Sequence, residues 1–276
     1  MIIMDPSRLD LSKYKRIFFF GCSFTQYRWP TWATIIARCA PHAEYHNLGM
    51  CGAGQEFIST NINQIINGVE LEETDLVFVM WSTFYREDRY KFHQLARFEP
   101  TPNWICEGNL YTAGKNEDWL RHCICPRGLT IKSLATIDNT IRVLETQQCD
   151  VVNFMSLSID DQTRMAPAEI DEMNLPMDDI KLMYAHLEDR IAATLFDAIK
   201  DPETGNWRTG YSWFDHERDE MWHDYHPTIL DYADFVEIAG ISIPSDVYAS
   251  LEYEHAHWLK IDGRDVGDWP RPRLLL

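Results

Sequence analysis

An apolar segment near the start of the chain, residues 16–20 (RIFFF), runs directly into Gly21-Cys22-Ser23. A continuous apolar run of this length is typical of a strand that is buried on both faces, as strands of parallel sheets are. Two further apolar runs predict strands over 76–80 and 150–154. A fourth short strand is predicted over 44–47, where the glycine-rich turn 49–54 follows it.

Helical periodicity separates these strands. Apolar residues recur at i, i+3, i+4 and i+7 over 32–39, and similar stripes cover 58–66 and 131–144. Strands and helices that alternate in this way indicate βαβ units, whose crossovers are right-handed. We therefore predict an α/β fold with a central parallel sheet covered by helices on both faces.

The chain has 276 residues, and we predict a single domain with insertions at about 81–127 and 156–179. Both insertions are long for an α/β domain and follow the carboxyl ends of predicted strands. Ligands bind at that edge of open α/β sheets, so we expect the insertions to serve binding.

Composition excludes several classes of partner and location. The chain carries 25 basic and 43 acidic side chains, a net charge of −18, and recognition of nucleic-acid phosphates needs clustered basic groups. Its apolar runs are too short for a membrane span, and its start lacks the pattern of a secretory signal. Seven cysteines without a repeated spacing indicate reduced thiols, so we expect a cytoplasmic protein.

Two residues far apart in the sequence suggest nucleophilic chemistry. Ser23 lies where the first strand ends, a position at which backbone N–H groups can stabilise an oxyanion. His226 precedes a helix that begins with Pro227, and an imidazole there could reach the strand ends and act as a base. The plainer alternatives are a serine that bonds its own turn and a histidine on an acidic surface loop.

Three segments resemble the SGNH (GDSL-type) hydrolases. Residues 18–25 (FFFGCSFT) are similar to the first block of that family, in the variant with cysteine before the serine. Residues 47–52 (NLGMCG) are similar to the second block, and 224–227 (DYHP) to the last. The resemblance spans about 15–85 and 222–238, and it implies a bacterial or phage-encoded protein.

The resemblance implies a flavodoxin-like three-layer α/β/α fold and a serine esterase or deacylase that needs no cofactor. Ser23 is then the nucleophile, His226 the base and Asp224 the acid that orients it. The N–H groups of Ser23 and Gly52 would form the oxyanion hole. The substrate class implied by family analogy is an ester, with O-acetylated carbohydrate preferred.

Two blocks depart from the family pattern. The third block normally provides an asparagine, whereas residues 80–86 read MWSTFYR, so we expect Ser82 or Thr83 to donate instead. Arg86 would hold an anionic group. The family also places aspartate three residues before the histidine, where this chain has His223, and Asp224 lies only two before His226.

Aromatic residues flank all of these motifs. We expect Trp29, Trp81, Tyr85 and Trp222 to line a groove for a sugar or another flat-faced group, although buried aromatics most often belong to the core. The oligomeric state is left open by the sequence.

The sequence leaves three alternatives open. Cys22 could act as a thiol nucleophile, although adjacent side chains at a strand end point in opposite directions and Cys22 is expected to face inward. The cluster between His216 and His226, which includes Glu217 and His223, could bind a catalytic metal, but we predict none. The altered blocks could also mark a degraded site that binds a glycan without cleaving it.

Overall fold

The computed structural model describes residues 9–93, 101–110, 125–164, 178–206, 208, 210–216 and 219–261. Its strands are β1 (Arg16–Phe20), β2 (Glu44–Asn47), β3 (Asp75–Trp81), β4 (Arg86–His93), β5 (Thr101–Asn109), β6 (Asp150–Met155), β7 (Ala193–Thr194), β8 (Ser212–Asp215) and β9 (Glu220–His223). Its α-helices are α1 (Trp32–Cys39), α2 (Gln55–Gly68), α3 (Pro126–Leu144), α4 (Ile159–Arg164), α5 (Asp178–Tyr184), α6 (Leu195–Ala198), α7 (Ile229–Ile238) and α8 (Ser245–Trp258).

Five strands form the central sheet in the order β2-β1-β3-β6-β7, and all of their pairings are parallel. Numbered within this sheet alone, the order is 2-1-3-4-5, which is the flavodoxin-like arrangement. The predicted fold class is therefore confirmed.

Side chains of β1 alternate between two separate cores. Ile17 and Phe19 pack with residues of α1, α7 and α8, while Phe18 and Phe20 pack with residues of α2 and α3. Helices thus cover both faces of the sheet and make three layers. The complete burial of β3 follows from this covering, because neither of its faces meets solvent.

The predicted elements are present, and most of the differences lie at their ends. Helix α2 begins at Gln55, ahead of its apolar stripe, because the Asp88 carboxylate accepts hydrogen bonds from the N–H groups of Gly54 and Phe57. Helix α3 begins at Pro126, whose missing N–H costs nothing in the first turn. The first turns of both helices are set by Asp88 and Pro126, which are not part of the apolar stripes from which the helices were predicted.

Two antiparallel hairpins lie outside the central sheet. Strands β4 and β5 pair within the first predicted insertion, and β8 and β9 pair shortly before His226. In the described part of the chain, no helix has the length and apolar character needed to cross a membrane.

Candidate active site

A line of hydrogen bonds joins three side chains at the carboxyl edge of the sheet. The Nε2 atom of His226 lies 2.8 Å from Ser23 Oγ, and its Nδ1 atom lies 2.7 Å from Asp224 Oδ1. Ser23 and His226 are 203 positions apart in sequence. A general base must lie within about 2.6–3.2 Å of the hydroxyl that it deprotonates, and the measured distance falls in this range.

The turn after β1 positions Ser23. The Cys22 carbonyl accepts hydrogen bonds from Thr25 N at 2.9 Å and Gln26 N at 3.2 Å, which close the turn around the serine. A Cβ on Gly21 would lie 2.0 Å from Thr25 Oγ1, so the turn requires a glycine there. The Cys22 side chain is completely buried in the core that contains α1 and α7.

The loop that carries His226 is fixed on both sides. Asp224 N donates to the Tyr211 carbonyl at 2.9 Å, and the Trp29 indole donates to the Pro227 carbonyl at 2.9 Å. Helix α7 then starts with a capping box formed by Thr228 and Asp231. The imidazole therefore projects from a loop of defined geometry.

Asp224 is 7% exposed and is held by three donors. Its Oδ1 atom accepts from the backbone N–H of His226 at 2.8 Å as well as from the ring, and its Oδ2 atom accepts from the hydroxyl of Tyr27. Burial would raise the pKa of Asp224, but the hydrogen bonds and charge of His226, together with the Tyr27 hydrogen bond, hold that pKa below its usual value. The carboxylate is therefore ionised at neutral pH.

The glycine-rich turn after β2 lies beside the serine turn, where Met50 N donates to the Gly21 carbonyl at 3.1 Å. Gly52 has φ +78°, and a Cβ there would lie 2.7 Å from the Cys106 carbonyl oxygen. Within the described residues, the backbone N–H groups of Ser23 and Gly52 have no hydrogen-bond acceptor in the protein. Both donors are therefore available to a ligand.

Ser82 and Thr83 follow β3 at the same edge of the sheet. The Ser82 hydroxyl is buried and has no partner in the described part of the chain, while the Ser82 carbonyl accepts from Gln55 Nε2 at 2.6 Å. Thr83 Oγ1 accepts from Arg86 Nε at 3.0 Å, which leaves the hydroxyl proton of Thr83 unused by that bond. Arg86 also donates to the Ala53 carbonyl at 2.9 Å, so it braces the glycine-rich turn.

The expectation that Trp29, Trp81 and Tyr85 line a groove is wrong. Trp81 and Tyr85 are 0% exposed, and Trp29 is 2% exposed. The Trp81 indole donates to Asn153 Oδ1 at 3.1 Å inside the core. Strand β3 reaches Trp81 and is covered on both faces, so its aromatic residue packs rather than binds. Trp222, on β9, is 37% exposed.

His223 and His226 do not converge. His223 Nδ1 lies 2.7 Å from Ser212 Oγ across the β8–β9 hairpin, whereas both ring nitrogens of His226 face Ser23 and Asp224. Over the described ranges, no three His, Cys, Asp or Glu side chains are grouped so as to hold a metal ion. Glu217 and Cys123 lie outside those ranges.

Tyr27 is the member of this site that the sequence did not suggest. Its ring stacks on the His226 imidazole, with centroids 3.9 Å apart and planes inclined by 23°. The only available signal was an aromatic residue four positions after the serine, in a chain with many aromatics.

No family model and no curated protein sequence matches the chain. Among solved structures, it is similar to a member of the lipolytic protein G-D-S-L family from Veillonella parvula, with 16% identity and a TM-score of 0.45 over 82% of this chain and 96% of that one. It is also similar to a GDSL-like lipase from Bacteroides thetaiotaomicron, with 14% identity and a TM-score of 0.40 over 91% and 95% of the two chains.

Proposed function

We propose that the protein is a serine hydrolase that cleaves an ester through Ser23, His226 and Asp224. The observation that carries this proposal is the continuous line of hydrogen bonds from Ser23 Oγ through both nitrogens of His226 to the buried carboxylate. A serine hydroxyl is a weak nucleophile, and an adjacent base that is itself oriented by a third group activates it.

The reaction proceeds in two stages. Ser23 Oγ attacks the ester carbonyl while His226 Nε2 takes the hydroxyl proton, and the tetrahedral intermediate collapses when His226 returns that proton to the leaving alcohol. Water then attacks the acyl-serine by the same route and releases the acid. Asp224 keeps the Nδ1 proton in place and stabilises the imidazolium at each stage.

The N–H groups of Ser23 and Gly52 are the donors that we propose for the oxyanion. Ser82 or Thr83 would contribute a hydroxyl in place of the asparagine of the related family. A single oxyanion donor is worth about 10²–10³ in rate. Substitution of Ser82 or Thr83 by alanine would therefore identify which hydroxyl contributes.

For the substrate, we propose an O-acetylated carbohydrate. Of the four aromatic residues that we expected to contact a sugar, only Trp222 is partly exposed, so Trp222 is the one that supports this substrate class. Arg86 is occupied by Thr83 and Ala53, which favours a neutral acyl group over an anionic one. We also propose a reducing, cytoplasmic location, because the six described cysteines are all free.

The test is hydrolysis of p-nitrophenyl acetate, followed by acetate release from acetylated oligosaccharides. We expect turnover by the wild type and a loss of about 10³-fold or more in Ser23→Ala and His226→Ala. His186→Ala is a matched control, because it removes another histidine paired with an aspartate, Asp138, at 2.9 Å. Equal hydrolysis rates for the wild type and the Ser23 and His226 variants would refute the proposed esterase activity and favour a glycan-binding module.

A further inference from the structure

The Oδ2 atom of Asp224 needs a hydrogen-bond donor, and His226 does not provide one. Oδ1 accepts both N–H groups of His226, so Oδ2 faces away from the histidine. The side chain is buried, and a buried carboxylate oxygen without a donor is costly. The donor that reaches Oδ2 is the Tyr27 hydroxyl, 197 positions away in sequence.

The proton in this contact belongs to the tyrosine. Burial and then the charge of Asp224 raise the pKa of Tyr27 far above its usual value, while the pKa of Asp224 is lowered. The phenol therefore donates and the carboxylate accepts at any pH at which a hydrolase would work. Such a charge-assisted hydrogen bond is stronger than a neutral one and fixes the plane of the carboxylate.

The ring of Tyr27 makes a second, independent contact with the site. It stacks on the His226 imidazole at 3.9 Å and is itself packed edge-on against Trp29, with centroids 4.4 Å apart. An aromatic face also attracts a cation, so this stacking favours the imidazolium that forms during catalysis. Trp29 in turn is hydrogen-bonded to the Pro227 carbonyl, which closes the packing around the loop.

We propose that Tyr27 is a positioning residue of this active site, whose hydroxyl holds the Asp224 carboxylate and whose ring holds the His226 imidazole in the productive arrangement. This role in catalysis rests on the proposed function, in which Ser23, His226 and Asp224 hydrolyse an ester. Tyr27 follows the turn that carries Ser23, so one segment of five residues holds both the nucleophile and the group that orients its base.

Tyr27→Phe is the informative variant, because it keeps the stacked ring and removes only the hydroxyl. We expect kcat to fall by about 10- to 100-fold with KM unchanged, since the lost bond orients the base and does not touch the substrate. Tyr14→Phe is the matched control. Tyr14 donates to Asp150 Oδ2 at 2.7 Å at the opposite end of the sheet, and its removal should leave kcat unchanged.

A double-mutant cycle tests whether Tyr27 acts through Asp224. In an Asp224→Ala background, Tyr27→Phe should change kcat, or the rate of fluorophosphonate labelling of Ser23, by less than twofold, because no carboxylate remains to be held. An equal loss in both backgrounds would overturn the proposal.

A measurement without turnover separates this inference from the proposed function. We expect a downfield proton NMR resonance from the His226 ring N–H that bonds Asp224, present in the wild type and in Tyr14→Phe, displaced in Tyr27→Phe and lost in Asp224→Ala. An unchanged resonance in Tyr27→Phe refutes the positioning role. A wild type that shows this pattern but hydrolyses no ester refutes the esterase alone.

Discussion

Substitution of Asp224 by asparagine separates the charge of this side chain from its geometry. In the structure, Oδ1 accepts two N–H groups from His226 and Oδ2 accepts the Tyr27 hydroxyl. An asparagine of the same shape can place its carbonyl oxygen at the Oδ1 position and its amide nitrogen toward Tyr27, whose oxygen can accept a hydrogen bond. We therefore expect Asp224→Asn to keep the Nδ1 proton of His226 in place and to lose only the negative charge.

The size of the effect follows from the 2.7 Å contact between His226 Nδ1 and Asp224 Oδ1. The centres of the two delocalised charges then lie about 4 Å apart, and at an effective dielectric constant of about 20 their attraction is about 4 kcal/mol. That energy corresponds to about 10³-fold in kcat. Asp224→Ala also loses the orientation of the ring, so we expect a larger decrease, of about 10⁴-fold, as when the aspartate of a triad is removed.

The assay is kcat on p-nitrophenyl acetate for the wild type, Asp224→Asn and Asp224→Ala, with Asp138→Asn as a control that alters another aspartate bonded to a histidine. An asparagine variant as slow as the alanine variant would mean that the amide donates to the ring and imposes the wrong tautomer. An asparagine variant within threefold of the wild type would mean that the carboxylate charge plays no part in the reaction.

Three further outcomes are expected. Because the pKa of Asp224 is lower in the folded protein than the unfolded value of 3.8, ionisation of this carboxyl stabilises the fold above pH 3.8, and this stabilisation is lost as pH falls through the folded pKa. The difference in unfolding free energy between wild type and Asp224→Asn should therefore shrink below pH 3.8 in urea titrations. A difference that stays constant with pH would contradict the lowered pKa. Gly210→Ala should destabilise the folded protein by about 1–3 kcal/mol and reduce kcat, because its Cβ would lie 2.2 Å from the His226 carbonyl oxygen. Gly128→Ala, whose Cβ would make contacts of 3.5 Å or more, should be neutral or stabilising. Similar melting temperatures for the two variants would refute this prediction. Asp75→Ala should lower the free energy of unfolding by about 1.5–3 kcal/mol, because it breaks the part-buried pair with Arg16. It should leave kcat unchanged, since both residues begin their strands at the edge of the sheet opposite Ser23. A matching loss of kcat would show that this edge is coupled to the site.

The parts of the fold that could be predicted are those that short-range patterns encode. The run 16–20 reads as a buried strand because it is apolar at every position after Arg16, and β1 has those bounds. The stripe over 131–144 identified α3 but not its first turn, because Pro126 and Cys125 cap that helix without any apolar periodicity. The hairpin of β4 and β5 was not predicted, because its pairing joins segments of mixed polarity that carry no regular alternation.

Ser23 and His226 were predicted from two kinds of signal: their places at the end of a buried strand and in a loop ahead of a helix, and the resemblance of their segments to blocks of the SGNH hydrolases. The helix after His226 begins at Ile229, two residues later than Pro227, because Thr228 caps it. Tyr27 has no such signal, since its partner Asp224 is distant in the chain and only tertiary packing brings them together. Trp81 and Tyr85 show the opposite failure. Their aromatic character suits either a groove or a core. Trp81 belongs to the core because β3 is covered on both faces, and Tyr85, in the connection between β3 and β4, is equally buried.

The short spacing between the acid and the histidine is accommodated by the loop itself. With one residue between them, Asp224 Oδ1 can reach both the backbone N–H and the ring Nδ1 of His226, as an aspartate does in an Asx-turn. The loop closes tightly enough only because Gly210 leaves room for the carbonyl groups of Asp224 and His226. Since this closure uses Oδ1 twice and the side chain is buried, Oδ2 needs a donor from elsewhere in the fold, and the Tyr27 hydroxyl is that donor.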